Sequence, residues 1–277
     1  MNPFRLDGPA VVSFSGGRTS AFMLRRILDA HDGTLPTDVH VIFCNTGEEH
    51  PATLDFVQEC AERWGVPVTW LEYDGEGGGR AGGRKRARVR EVTHATASRA
   101  GEPFDKLLAA RRFLPNPTAR FCTESLKMRP MIESMKGRGY EHWLNVVGLR
   151  ADEPHRAASR RADNATGENP WTTIMPLYSA GLAVADVRAF WRAQPFDLRC
   201  PDGFGNCTRC FMKGTALQIY LAQEDPASSD RWVAREKLYK ARFHRDMSYT
   251  KVAAYARSQG RLALPVLTEG VSCACTD

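Results

Sequence analysis

Two groups of residues in this sequence have types and spacings that can do chemistry. The first is the run Ser15, Gly16, Gly17, Arg18, Thr19, Ser20, in which glycines, hydroxyls and one guanidinium follow one another. Glycines let a backbone approach a ligand closely, and successive N–H groups form an anion-binding nest. Bare amides, hydroxyl donors and a cation suit a phosphate or pyrophosphate. The plain alternative is a turn that only closes a strand–helix corner. A Walker loop is excluded, because the run lacks a Gly-Lys-Ser/Thr ending.

The second group is the thiols, eight in all. Cys207 and Cys210 have Cys-x-x-Cys spacing, a bite suited to one metal centre. Cys122 lies near an expected helix start, and Cys273 and Cys275 close the chain. With no histidine at a matching spacing, an all-thiolate site follows, for either structural zinc or a 4Fe–4S cluster. Cys44, in an apolar strand pattern, and Cys60, in an amphipathic helix, read as packed thiols. Cys200 fits either role. Around these groups, Arg150, Arg156 and Arg160 follow an expected strand end and suit phosphate contacts. Asp152 and Glu153 are candidates for magnesium or proton transfer, against the simpler reading of loop carboxylates paired to arginines.

These residues need elements to position them. "AVVSF" (10–14) reads as a buried strand entering the glycine turn, and a helix from Thr19 places Ala21, Leu24 and Leu28 at helical spacing. A strand at 39–47, a helix from Pro51 to Gly65 and a strand at 66–73 continue the alternation. Strands at 143–150 and 172–178 and a helix at 183–194 resume it after a glycine- and arginine-rich stretch, 74–93, read as a flexible basic loop. The fold class is α/β, a doubly wound parallel sheet, in which the turn after the first strand opens at the carboxyl edge where ligands bind. The helix N-terminus there presents free amides and a positive dipole end to the same point. Residues 1–195 read as the nucleotide-binding unit, and 196–277 as a helical, cysteine-bearing extension packed on it.

Composition narrows the classes. At 43% apolar and 25% charged, the chain of 277 residues is an ordinary globular sequence with no run long enough for a membrane helix. No secretory pattern opens it, so the expected location is cytoplasmic, where clustered thiols hold metals or do redox chemistry rather than form a disulfide framework. The net charge of +6 suits an anionic partner. Six of the eleven residues from Arg80 to Arg90 are Lys or Arg, a run that can track a phosphate backbone or simply remain solvated.

The loop resembles the pyrophosphate loop Ser-Gly-Gly-x-x-Ser of the adenine-nucleotide α-hydrolase-like (PP-loop, HUP-type, Rossmann-like) superfamily, with Thr19 where many members carry Asp. "VIFCNTGEEHPATLDFV", "VVGLRADEPHRAASR" and "IMPLYSAGLAVADVRAFW" are similar to ordered segments of the phosphoadenosine phosphosulfate (PAPS) reductase family, across about residues 10–195. The resemblance implies adenosine contacts at Asn45, Thr46 and Gly47, and phosphate contacts at Arg150 and Arg156. "PNPTARFCTESLKMRP", "GNCTRCFMKG" and the terminal "CACTD" look like a phage and bacterial group in that family. There a cysteine quartet holds iron–sulfur, which implies Cys122, Cys207, Cys210 and Cys275 as ligands, with Cys273 as substitute for the last.

Three functions follow as expectations. The first is an ATP pyrophosphatase that uses magnesium to adenylate an acceptor for sulfur transfer. Its partners would be a sulfur donor and an acceptor such as a nucleic acid held by the Arg80–Arg90 stretch. The second is a reductase of adenylyl sulfate (APS) or PAPS, with Cys273 as nucleophile and a thioredoxin-like reductant, although the family's Glu-Cys-Gly-x-His tail is absent. The third is a zinc-stapled, non-catalytic nucleotide-binding adaptor.

Overall fold

The computed structural model describes residues 2–81, 84–200, 204–205 and 207–260. Chain order runs β1 (Ala10–Ser13), α1 (Arg18–Ala30), β2 (Val39–Asn45), α2 (Pro51–Trp64), β3 (Val68–Ala81) and β4 (Arg84–Val92). Helix α3 (Glu102–Arg111) leads to a broken helix: α4 (Phe121–Thr123), a π-helical turn (Glu124–Met128) and α5 (Arg129–Gly137). Then come β5 (Trp143–Val146), α6 (Pro154–Thr166), β6 (Trp171–Ile174), α7 (Pro176–Ser179) and α8 (Val184–Arg192). The C-terminal helical region contributes α9 (Thr215–Glu224), α10 (Pro226–Tyr239) and α11 (Tyr249–Ser258).

The six strands lie in the order β4-β3-β2-β1-β5-β6. All pairings are parallel except β3 with β4. The expected α/β class therefore holds, with an antiparallel edge strand. Because β1 pairs with both β2 and β5, the chain reverses its direction of travel across the sheet at β1. That switch point opens a crevice at the carboxyl ends of these strands.

Strand alternation explains the two-sided burial. Ala10, Val12, Val41, Phe43 and Trp70 join a core with Met23 and Leu24 of α1, Leu54 and Val57 of α2, and Trp191 of α8. Val11, Ile42 and Leu71, one residue out of phase, pack instead with Met131 and Met135 of α5. The C-terminal region enters both this fold and a further core. Leu217 and Leu221 pack with the first group, while Trp232, Phe243 and Tyr249 pack with Tyr73, Phe104 and Leu107.

Not every expectation holds in the fold. Residues 74–93 do not form a flexible basic loop; most of them belong to the antiparallel β3–β4 hairpin, with Tyr73 opposite Val89 and Trp70 opposite Val92. Arg86, Arg88 and Arg90 are exposed while Ala87 is buried and Val89 half-buried, a strand alternation hidden by its charged half. The strand expected over 172–178 also ends early, at Ile174, because Pro176 begins α7. No helix among the described residues is long and apolar enough to cross a membrane.

Candidate functional site

The glycine turn leaves β1 at the switch point. Gly16 has φ +77°, and a Cβ there would lie 2.6 Å from the Thr53 methyl of α2, so both backbone angle and packing demand glycine. Gly17 caps α1, whose first amides have no acceptor inside the helix. Ser20 Oγ donates to the Gly17 carbonyl (3.0 Å) and accepts from the Ser15 amide (3.2 Å), while the Ser15 and Ser20 hydroxyls lie 2.9 Å apart. The loop is thus folded by its own hydroxyls at the N-terminus of α1. Arg18 leaves it: its guanidinium binds Asp197 (2.7 and 3.0 Å) and the Leu198 carbonyl (2.8 Å), clamping the helix start to the chain after α8.

Arg150, expected alongside Arg18, stays at the loop. Its Nη1 donates to Thr19 Oγ1 (3.4 Å), and the preceding Gly148 lets the β5 loop close on α1, since a Cβ there would stand 3.3 Å from Ser20 Cα. Asp152 and Glu153 are engaged with these arginines. Arg150 Nε lies 3.0 Å from Asp152 and Nη1 3.3 Å from Glu153, and Arg156 Nη1 lies 2.5 Å from Glu153. The simpler reading of the two carboxylates, as arginine partners, describes this arrangement.

Turn 45–50 closes the other side of the crevice. The Asn45 amide donates to Glu72 (2.7 Å) and the Ser98 carbonyl (2.9 Å), and its oxygen accepts the Gly47 amide (3.2 Å). The Thr46 amide and hydroxyl both donate to the Glu49 carboxylate (2.8–2.9 Å). With these side chains engaged in the turn, the turn offers a ligand mainly backbone. Burial pushes the Glu49 carboxyl above the usual range, opposed by Lys127 and by the Thr46 hydrogen bonds.

The same turn is fastened to the Cys-x-x-Cys loop. Glu49 and Cys207 form a β-bridge, the Thr208 amide donates to the Glu48 carbonyl (2.8 Å), and Thr46 Oγ1 lies 3.4 Å from Cys207 Sγ. Carbonyls of that loop are taken by buried donors. Lys213 Nζ binds Thr208 O (2.9 Å), Gln218 Nε2 binds Cys210 O (2.6 Å), and the Tyr249 hydroxyl binds Arg209 O (2.5 Å). Arg209 is fully buried, and that burial pulls its guanidinium down to about 10. Arg209 and Lys213 thus brace the backbone of the Cys-x-x-Cys loop from inside: Arg209 donates to the Gln218 carbonyl and Lys213 to the Thr208 carbonyl.

Two cavities meet here. One, about 70 Å³, runs from Ser13, Phe14 and Ser15 past Cys44 and Asn145 to Thr123 and Lys127. The other, about 20 Å³, is lined by Cys122, Cys207 and Cys210 with Phe104, Phe211 and Trp232, and again by Thr123 and Lys127. The structure thus brings three of the four expected ligands to one cavity, which shares Thr123 and Lys127 with the cavity beside Ser15. Cys273 and Cys275 lie outside the described residues. Among the described residues, no group of three His, Cys, Asp or Glu side chains is gathered as a single-ion site. Cys200 is buried in the main core, and Cys44 is a half-buried thiol pushed up to about 12 by desolvation.

Thr123 and Lys127 were not singled out by sequence. The Thr123 hydroxyl is buried without a hydrogen-bond partner among the described residues, in the wall both cavities share. On an α-helix, residues five apart point about 140° away from each other, which separates Cys122 from Lys127. The wider π-turn at 124–128 brings both to one cavity. Nothing in the residue pattern announces that turn.

The model of the phosphoadenosine phosphosulfate reductase domain matches residues 9–192. The nin region protein ORF290 of Escherichia phage lambda is 34% identical over 226 residues, 80% of this chain and 71% of that protein. Protein MJ0066 of Methanocaldococcus jannaschii is 21% identical over 231 residues, 82% of this chain and 41% of that protein. Among solved structures, the phosphoadenylyl-sulfate reductase of Candida auris in its phosphate complex aligns over 71% of this chain and 82% of its own, at 18% identity and TM-score 0.39. The U34-tRNA thiolase NcsA of Methanococcus maripaludis with its 4Fe–4S cluster aligns over 96% and 77%, at 13% identity and TM-score 0.43.

Proposed function

Because this chain belongs to the phosphoadenosine phosphosulfate reductase domain family, we propose that it is an adenine-nucleotide enzyme that activates an acceptor for sulfur transfer at the neighbouring thiols. Amides and hydroxyls of residues 15–20 and the Arg150 guanidinium hold the phosphates of ATP with magnesium. An acceptor oxygen attacks the α-phosphate, the bond to the β-phosphate breaks, and pyrophosphate leaves. Sulfur then displaces AMP from the adenylated acceptor. The observation that carries this reading is the wall shared by the two cavities: Thr123 and Lys127 border both the space beside Ser15 and the space lined by Cys122, Cys207 and Cys210.

Donor chemistry at the second cavity fits a cluster. Three thiols converge between apolar walls, beside Lys127 and a loop containing buried Arg209 and Lys213. Cys122, Cys207 and Cys210 would hold a 4Fe–4S group, with Cys275 or Cys273 completing it. When bound, such a group supplies a soft centre able to carry sulfur. The family's name-giving reaction, attack of a thiolate on a sulfonucleotide, is the competing reading. The same wall favours it, since a thiolate beside Thr123 would face a sulfonyl group equally well.

Anaerobically purified protein, assayed for iron, sulfide and visible absorbance near ~400 nm, tests the cluster. Pyrophosphate release from ATP, dependent on an added acceptor, supports the sulfur-transfer reading. Sulfite release from PAPS or APS without pyrophosphate formation replaces it with the reductase. Zinc in place of iron, with adenylate uptake but neither turnover, leaves the adaptor.

A further inference from the structure

The cation-rich hairpin is not the surface best suited to a polyanion. Of its described arginines, Arg86 binds Glu133, Arg90 binds Glu72, and Arg88 donates to the Asp74 carbonyl. A different cation-bearing segment begins in α3. From Lys106 to Thr123 the chain carries Lys106, Arg111, Arg112 and Arg120 and no acidic residue; Lys106 pairs with Asp74 and Arg120 is half-buried, which leaves Arg111 and Arg112 as its exposed arginines. Arg112 adopts φ +53° at the helix end, a conformation side chains other than glycine rarely take, and turns the next residue outward. Phe113 is consequently 49% exposed. Its ring lies 6.2 Å from that of Phe121 at an interplanar angle of 36°, and the Arg111 guanidinium sits 5.6 Å from the Phe121 centroid. The Arg112 side chain has no ion-pair partner among the described residues. Cys122, which lines the thiol cavity, follows Phe121 directly.

We propose that this face docks an unpaired stretch of a polynucleotide, with one base stacked on Phe113 and the flanking phosphates met by Arg111 and Arg112. A half-exposed ring, backed by Phe121 and flanked by cations, matches a nucleotide, which presents one flat π-face and one anionic group per unit. An apolar protein partner would need a broader apolar patch. A duplex would not serve, since its bases are stacked on one another and closed to Phe113. Strand docked here passes beside Cys122, the thiol nearest the surface segment. The inference rests on the proposed function only for what the docked strand is used for. Binding itself is independent of ATP and of any cluster.

The probe is a fluorescein-labelled, unstructured 12-nucleotide pyrimidine strand, followed by anisotropy with the full chain at several salt concentrations. The intact protein is expected to bind it more tightly than the corresponding duplex. Phe113→Ala should weaken binding roughly ten-fold, and Phe113→Trp should retain it. Arg112→Gln should lower the slope of log affinity against log salt by about 0.7. Both positions are exposed, so thermal midpoints should not move. The proposal is overturned by equal or tighter duplex binding, by no binding, or by binding within two-fold of wild type in both Phe113→Ala and Arg112→Gln. Loss confined to an Arg86/Arg88/Arg90 triple Gln variant also overturns it, because the strand then lies on the hairpin. Calorimetry with ATP on the same samples separates the two readings: failure of ATP uptake with strand binding intact removes the proposed function and leaves this surface.

Discussion

The Glu48–Arg235 pair is where the turn after β2 is bolted to the C-terminal helices, and its removal can be worked through quantitatively. The two side chains are 1% and 5% exposed with Arg235 Nη2 2.7 Å from Glu48 Oε1. Arg235 Nε also meets Asp105 at 2.7 Å, and its guanidinium lies 4.9 Å from the Phe104 ring and 5.5 Å from Trp232. Replacing Arg235 by Met keeps most of the apolar stem but leaves Glu48 buried with Trp232 Nε1 (2.9 Å) as its neighbouring side-chain donor. Breaking a buried pair from one side costs about 3–5 kcal/mol, because an uncompensated charge remains. Asp105 adds little, since its side chain is 54% exposed and regains water. At ~2–4 °C per kcal/mol for chains of this order, the midpoint should fall by roughly 10 °C. Glu48→Gln in the Arg235→Met background removes the orphaned charge, so the double variant should recover ~0.5–3 kcal/mol relative to additivity. Urea titration and calorimetry read both quantities. The reasoning is refuted if Arg235→Met costs under about 1 kcal/mol, or if the two substitutions simply add. A second readout is local. Glu48 O holds the Thr208 amide, so alkylation of Cys207 should quicken in Arg235→Met while that of Cys60, far inside the α2 core, should not.

Further outcomes are expected from the same geometry. Gly101→Ala should destabilise as severely as Arg235→Met, because at φ +89° its Cβ would sit 2.5 Å from Arg235 Nη2 and against Glu48 Oε1; a thermal midpoint unchanged within error would contradict this. Gly16→Ala should cost about 2–4 kcal/mol through its left-handed backbone and the Thr53 methyl, and abolish ATP uptake in calorimetry; Thr53→Ser in the same chain should return part of the stability but not the binding. Cys44, held at about 12, should be about one part in ten thousand thiolate at pH 8 and stay unlabelled by iodoacetamide until well above pH 10, whereas early labelling, mapped by mass spectrometry, would place its sulfur nearer solvent. The sign is that of a raised thiol: reactivity absent below the shifted value and appearing as pH climbs toward it. Tyr249→Phe should cost about 1 kcal/mol by freeing the Arg209 carbonyl from its hydroxyl donor, read as a shift in urea midpoint at constant slope.

Much of this protein was legible as residue pattern, because the signals are local. Apolar runs flanked by glycine at 10–17 and 39–47 specify strand-to-turn junctions, and the strand–helix alternation specifies a parallel sheet whose first turn must open at the carboxyl edge. The glycine turn at 15–17 and the Cys-x-x-Cys spacing of Cys207 and Cys210 are likewise visible in the sequence as local pattern. Tertiary structure decided what local pattern cannot encode: which charges find each other across the chain. Arg18 belongs to Asp197, 179 residues away, and Arg150 stands at the loop instead. Residues 84–90 became part of a strand in which Ala87 and Val89 pack against the second core and the α5 side, while the charged half hid the period from composition. The π-turn that brings Cys122 and Lys127 to one cavity, and the bridge from Glu49 to Cys207, depend on contacts between segments far apart in sequence. Burial, rather than residue type, pushes Cys44 and Glu49 up and Arg209 down from their ordinary values.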